Sequence, residues 1–383
     1  MKILHLDPDD LDNPLSGGGP VRTFEIYRRL ARRHDVTVLT PTFPGSEPEC
    51  VRDGVRYVRL GRRIGDHGSS HHLTFLAALP AAVRRFEYDL LVEDTMPPCS
   101  TTWTPFFARR SAPLVASVQW WMAEIYTERL KLPFHWGQSV GLRLYRHFIA
   151  LTEQMRGTIL AGQPRARIEV IPNGVDADLF HQPIVRDDEG LGRGILYIGR
   201  IDYHNKGLDL LLEALARLPA GRRPHLTMAG HGNATESALL DAQIERLGLR
   251  DGITLLGKVD AATRARLLRE CRFTVMPSRL ETFGMTIAEA NAAGRIALVF
   301  DKWPMNEVSA PRVERVPAFD VAAYAAAIDR LTAMPDLVLI RLGEHCRNWA
   351  RRYDWDVVAS AQESFYLDAM YWHRRGETRG RAA

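Results

Sequence analysis

Residues 194–215 read GILYIGRIDYHNKGLDLLLEAL. A short apolar run ends at Gly199, a polar loop follows, and an apolar stripe at helical spacing comes next. Strand, loop and helix in that order form the opening half of a βαβ unit. The pattern continues downstream through PHLTMAG (224–230), ITLLGKV (253–259), RFTVMPS (272–278) and RIALVF (295–300), each followed by a helix-like segment. Strands alternating with helices predict an α/β domain with a parallel, doubly wound sheet.

The first half of the chain has the same grammar. KILHLD (2–7) predicts a strand, and the Gly/Pro loop NPLSGGGP (13–20) leads into a helix, VRTFEIYRRLARR (21–33). DVTVLT (35–40), VRYVRL (55–60), YDLLVED (88–94), PLVASVQ (113–119) and HFIALTE (147–153) predict further strands. Such sheets bind ligands at the carboxyl ends of their strands. Those ends carry Asp7, Glu93–Asp94, Gln119 and Thr152–Glu153, all polar. The alternation pauses at RIEVIPNGVDADLF (167–180), where a Pro-Asn-Gly turn marks a domain boundary. We expect a first domain over 1–175, completed by a long amphipathic C-terminal helix over about 355–375, and a second over 176–354. A length of 383 residues, beyond the usual size of one hydrophobic core, also favours two domains.

Composition narrows the class. Hydrophobic residues at 46% and charged residues at 25% are globular values. The net charge of +4, with no basic block interleaved with aromatics, matches no nucleic-acid module. No apolar run approaches the roughly 20 residues that span a bilayer. MKILHLDPDD lacks the apolar core of a signal peptide, so the expected location is cytoplasmic. The four cysteines, Cys50, Cys99, Cys271 and Cys346, fit no metal spacing and read as reduced thiols. The excess of arginine over lysine suits a GC-rich genome, a background compatible with an antibiotic pathway.

Three stretches could carry chemistry. SGGGP (16–20) follows the first strand and opens a helix, so its bare amides could meet a phosphate at the positive helix end; a plain flexible loop fits equally. Arg200 stands at a strand end and Lys206 just before a helix. Two such cations suit a diphosphate, although two solvated surface side chains read the same way in isolation. In SRLETFGMTIAEA (278–290), Glu281 and Glu289 lie eight positions apart, about 12 Å along a helix starting near Gly284–Met285. Both acids could accept bonds from hydroxyls while the amides of Phe283, Gly284, Met285 and Thr286 donate to phosphate. The plainer reading is one acid favoured by the helix dipole and one exposed glutamate.

VIPNGVD, YIGRID…KGLDLLLEAL, LTMAGHGN, ITLLGKV and PSRLETFGMTIAEANAAG, in this order and spacing, resemble the family 4 glycosyltransferases. That resemblance implies a GT-B fold, two Rossmann-like domains facing across a cleft, and a retaining, sugar-nucleotide-dependent enzyme. It implies that Arg200 and Lys206 bind the donor diphosphate and stabilise the leaving nucleotide. Glu281 then lies near the sugar hydroxyls, Glu289 on the ribose, and Gly18 and Gly19 over the phosphates. Lys258, Val259 and Asp260 fall where the family reads the nucleobase. The implied reaction is same-face substitution onto an acceptor hydroxyl of a natural product, glycan or lipid-linked saccharide. The cations stabilise the departing phosphate, with no cofactor beyond the donor and no metal. Asp-x-Asp at 176–178 and at 354–356 reads as helix caps rather than a metal site.

The chain departs from the family at three places. Gln119 stands where many members carry histidine, followed by Trp120-Trp121, which points to an altered donor; with Asp94 it belongs to the sugar and acceptor side. GRIALVFDKWPMNEV (294–308) puts Arg295 and Trp303-Pro304 where the family often has Gly-x-Pro and a glycine pair, and Glu307 keeps the glutamate's role. RLKLPFHWGQSVGLRLYRHF (129–148) mixes cations with large apolar side chains. It reads first as a loop and helix packed on their own domain, and otherwise as the wall of an acceptor groove or as peripheral contact with the inner face of a membrane. Rival functions are a nucleotide-sugar epimerase, which would need acid/base groups around the sugar, and a non-catalytic nucleotide-sugar binder.

Overall fold

A computed structural model describes all residues except 14–15, 63–69, 96–102, 120–126, 128–130, 132–133, 182, 185–190 and 382–383. Trp120, Trp121, Cys99 and part of the 129–148 stretch lie outside the described residues. The chain forms two compact units, one of residues 1–173 with 355–383 and one of residues 174–354.

The first unit has strands β1 (Lys2–Leu6), β2 (Asp35–Pro41), β3 (Glu49–Arg52), β4 (Val55–Leu60), β5 (Leu90–Thr95), β6 (Leu114–Val118), β7 (His147–Ala150) and β8 (Arg167–Val170). Its helices are α1 (Gly18–Leu30), α2 (Ser70–Arg85), α3 (Phe134–Leu142) and α4 (Glu153–Gly162), joined by the C-terminal helix Trp355–Arg381. The strand order is β3-β4-β2-β1-β5-β6-β7-β8, parallel except for the β3–β4 pair. β5 is buried along its whole length, as a parallel strand covered on both faces should be. Leu4, Leu6, Phe75, Leu79, Val83 and Leu91 form part of the core between sheet and α2. The C-terminal helix lies on α1 and the turn after it through Arg29–Asp356 and Arg33–Glu363 pairs, both at 2.5 Å, and a Tyr27–Tyr366 hydroxyl contact at 2.9 Å.

The second unit has strands β9 (Ile195–Ile198), β10 (Leu226–Ala229), β11 (Ile253–Gly257), β12 (Thr274–Met276), β13 (Ala297–Phe300) and β14 (Arg315–Val316). Its helices are α5 (Asp178–His181), α6 (Leu208–Arg217), α7 (Ala234–Arg246), α8 (Ala261–Glu270), α9 (Met285–Ala292), α10 (Met305–Val308), α11 (Val321–Ala333) and α12 (Asp336–Ala350). The strand order is β11-β10-β9-β12-β13-β14, and the pairs are parallel. α6 buries Leu208, Leu211, Leu212, Ala214 and Leu215, the stripe seen in the sequence.

The α/β class and the two Rossmann-like parallel-sheet domains are as expected. Several details differ. α1 starts at Gly18, so Gly18 and Gly19 sit in its first turn rather than in a loop ahead of it; packing of Arg22, Thr23 and Ile26 fixes the helix axis and extends it through poor helix formers. RIEV, where the alternation in the sequence pauses, is the edge strand β8, half exposed and therefore weakly patterned. β3 had no counterpart in the sequence reading. It pairs back through Asp53-Gly54, both at positive φ, a hairpin turn that those residue types favour.

Each sheet has one switch point, where the strand order reverses direction: between β1 and β5 in the first, between β9 and β12 in the second. Loops leaving adjacent strands there turn to opposite sides, which opens a crevice at the carboxyl ends.

Candidate active site

In the second unit, the loops after β9 and β12 are stitched together at the switch point. Arg279 N and Leu280 N donate to Asn205 O at 2.8 and 3.1 Å. The Arg279 guanidinium forms a two-pronged pair with Asp209, both bonds 2.6 Å, and also donates to His204 O. Lys302 Nζ donates to Arg279 O at 2.6 Å and fixes the loop from its other side. This framework brings Lys206 Nζ within 2.5 Å of Glu281 Oε1, to which Ser278 Oγ also donates at 3.0 Å. Lys206 and Glu281 are 75 residues apart in sequence.

Glycines make the close approach possible. Gly207 adopts φ 64°, and a Cβ there would lie 1.9 Å from Pro277 O, so only glycine lets the helix after Lys206 begin against β12. Arg200 follows the strand β9, its carbonyl accepting a bond from Tyr197 OH at 2.7 Å and its side chain exposed.

Gly284 caps α9 in the left-handed conformation with no side-chain cap, and no acid occupies the first turn. The leading amides, including Met285 and Thr286, have no carbonyl one turn back and point out of the helix start. Glu289 is on the same helix but is buried, 7% exposed, which corrects the plain reading of a solvent-facing acid. Its Oε1 accepts from Arg264 Nη1 at 2.5 Å, while Oε2 has no hydrogen-bond partner. Burial pushes the Glu289 carboxyl above its ordinary range, against the pull of Arg264.

Lys258, Val259 and Asp260 form the loop between β11 and α8. Asp260 caps α8, accepting from Thr263 N at 2.7 Å, and that bond holds its carboxyl below the usual range. A cavity of about 180 Å³ opens beside this loop, lined by Ile201, Gly230, His231, Gly232, Leu255 and Gly257 among others. Glu307 sits on the short helix α10 behind Trp303-Pro304. Arg295 is 2% exposed and donates to the carbonyls of Cys271, Gly294, Ile184 and Arg269, so it is a structural clamp. Asp176 accepts from Asp178 N at 3.1 Å at the start of α5.

In the first unit, the switch point gathers His5, Asp7, Asp94, Ser117 and Gln119, all buried. His5 Nε2 lies 3.5 Å from Asp94 Oδ1, and Gln119 Nε2 reaches Ser117 Oγ at 3.1 Å and Asp94 Oδ1 at 3.5 Å. Asp7 accepts from Thr23 Oγ1 at 2.7 Å on one oxygen and from Asp9 N at 3.0 Å on the other. Burial first, and then the charge of Asp94, push the Asp7 carboxyl well above its ordinary range. Asp94 is held below that range: burial opposes ionisation, but His5, Arg22 and Ser117 outweigh it. The surroundings thus push the two buried carboxyls in opposite directions, Asp7 toward its neutral form and Asp94 toward its ionised form. Behind them His5 Nδ1 lies 2.8 Å from Tyr27 OH, and the chain of contacts continues through Tyr366 and Gln362 to Arg22. Among the described residues, His5, Asp7 and Asp94 are also a group able to hold a metal ion. Gly17 and Gly19 have open space where a Cβ would point.

His5, Ser278, Asp209, Arg279 and Arg264 escaped the sequence reading. Only His5 had a signal, lying two residues before Asp7 and so on the same face of β1.

Comparison with known proteins settles the family. The profile described as Glycosyltransferase Family 4 matches residues 16–179, and that described as Glycosyl transferases group 1 matches 192–334. The chain belongs to the family 4 glycosyltransferases. This glycosyltransferase is 28% identical to the D-inositol 3-phosphate glycosyltransferase of Xylanimonas cellulosilytica, over 96% of each chain. It is 29% identical to the phosphatidyl-myo-inositol mannosyltransferase of Mycobacterium leprae, over 94% of this chain and 95% of that one. Among solved structures, the sucrose-phosphate synthase of Thermosynechococcus elongatus superposes with a TM-score of 0.78 at 18% identity, covering 96% of this chain and 98% of that one. Anabaena HepE in complex with UDP and glucose superposes at 0.69 with 19% identity, covering 96% and 100%. These superpositions place the glycosyltransferase in the GT-B fold class.

Proposed function

We propose that this glycosyltransferase moves a sugar from a nucleoside-diphosphate sugar to an acceptor hydroxyl with retention of anomeric configuration and without a metal ion. The observation that carries the reading is the Lys206–Glu281 pair at the β9–β12 switch point, beside the uncapped start of α9. A cation, a hydrogen-bonding acid and free helix amides in one crevice suit a sugar joined to a diphosphate. In this reading Arg200 and Lys206 take the charge that develops on the departing phosphate, and Glu281 orients the sugar. Glu289 offers its unpartnered oxygen to the ribose hydroxyls. The cavity beside Lys258–Val259–Asp260 takes the base, and Asp94 and Gln119 line the acceptor side. HepE was crystallised with UDP and with UDP-glucose, which supports a nucleotide-sugar donor here by analogy.

The test is a panel of nucleoside-diphosphate sugars incubated with and without acceptors, the product anomer being read by NMR. Transfer with retention is expected, undiminished in EDTA. Inversion, loss of activity in EDTA that added metal restores, or isomerised donor in place of transfer would each overturn the reading.

A further inference from the structure

α3 and the turn after it expose Trp136, Val140 and Leu144, with 68, 51 and 41% of their surfaces open. They recur every four residues and so form one apolar ridge, while Gln138, Leu142 and Tyr145 face inward and are buried. Tyr145 OH donates to Glu93 at 2.5 Å, which fixes the turn after α3 on the sheet. The short turn Thr104–Phe106 of the same unit exposes a further apolar pair, Trp103 and Phe106, stacked on each other.

Cations begin where the ridge ends. Arg143 and Arg146 lie in the turn after α3, and Arg165 and Arg167 on the neighbouring loop and the start of β8; all four are exposed. The two loops are tied by Arg167 N to Arg146 O at 2.8 Å and by Gln163 Nε2 to Arg143 O at 2.7 Å. None of the four arginines forms an ion pair with a described residue. The end of the C-terminal helix adds Trp372, stacked on His147 and lying under Arg167 at 4.3 Å, and the exposed Arg374 and Arg375. The field is felt locally: burial first, then Arg167, His373 and Arg146, push the His147 imidazole down to about 4. Glu169 on β8 and Asp368, one turn before Trp372 on that helix, are exposed acids but are outnumbered.

We propose that this face of the first unit docks on a bilayer rich in anionic phospholipid, the ridge entering the interface and the arginines meeting headgroup phosphates. The pairing of an apolar ridge with a basic border is what an interfacial contact rewards. A nucleic acid would satisfy the arginines but leave Val140 and Leu144 without a partner. Among the described residues no helix is long and apolar enough to cross a membrane, so the contact is peripheral.

Co-sedimentation of the full chain with phosphatidylcholine vesicles, with and without phosphatidylglycerol, tests this. Binding is expected only with phosphatidylglycerol and should weaken in high salt. Arg143→Gln with Arg146→Gln should lower the partition coefficient about 30-fold, near fivefold per charge. Trp136→Ala with Leu144→Ala should also lower it, about tenfold or more. Neither pair touches the site above, so transfer to a soluble acceptor should stay at the parent level and be read separately. Equal binding to neutral vesicles, no vesicle binding, retention only on RNA or heparin, or undiminished binding of both variants would overturn the proposal.

Discussion

Replacing Lys206 by Met keeps most of the side-chain stem and removes the charge. Two effects should separate. If Nζ neutralises the departing phosphate, its loss removes one preorganised donor, worth about 3–4 kcal/mol, or 10²–10³ in kcat. The folded state loses less. Lys206 keeps 23% of its side chain in water and Glu281 only 9%, so the pair lies between a surface and a buried ion pair. The cost of stranding Glu281 is then about 1–2 kcal/mol, well under that of breaking a fully buried pair. For a domain of this size that lowers the melting temperature by roughly 2–8 °C. Adding Glu281→Gln removes the stranded charge while Ser278 Oγ can still donate to the amide oxygen. The double variant should therefore recover at least half of the lost melting temperature and none of the lost turnover. Initial rates at saturating donor, beside calorimetric melting curves, read both. A kcat within fivefold of the parent in Lys206→Met would refute the assignment of Lys206 to the leaving group. Rates that recover along with the melting temperature would show that the residue acts only through folding.

Two further outcomes follow from the same geometry. A Cβ on Gly230 would lie 1.7 Å from Gly199 O, so Gly230→Ala should cost about 3 kcal/mol or more and blunt the thermal stabilisation by nucleoside diphosphate, measured by melting with and without ligand. Asp7 has a raised carboxyl, so the folded state holds a proton that the unfolded chain releases, and its stability contribution falls as pH rises through that window above the ordinary carboxylate range. Asp7→Asn should remove that fall, so that its melting temperature varies less with pH than the parent's; an unchanged pH dependence would refute the raised carboxyl.

The sequence carries the fold where local pattern and burial agree. GILYIG and LDLLLEAL become β9 and α6 because each matches the period of its element and buries the matching face. The helix start at Gly284–Met285 is legible for the same reason. Long-range pairing is not legible in this way. Nothing local says that β12 lies beside β9, and that adjacency puts Glu281 on Lys206. Arg264 reaches Glu289 by the same kind of coincidence, across 25 residues. The Gly18 helix start was hidden because glycine opposes helix locally and tertiary packing overrides it. β3 was legible in principle from Asp53-Gly54, whereas the two-residue β14 gives no periodic signal at all.

The two switch points bear on function in opposite electrostatic senses. A buried strand end under no demand other than stability would be apolar, since burying carboxyls costs free energy unless they are fully paired. At the β1–β5 switch point the chain nonetheless buries Asp7 and Asp94 within mutual reach, at the expense of ionisation at Asp7, and braces them with His5, Tyr27, Tyr366 and Arg22. At the β9–β12 switch point it sets a lysine and helix amides, with Arg279 and Asp209 used up as framework. Local rules are broken where a fold carries a site, and both violations fall where adjacent loops diverge. That coincidence is the physical reason to look for donor phosphate at Lys206 and for a hydroxyl-bearing partner near Asp94.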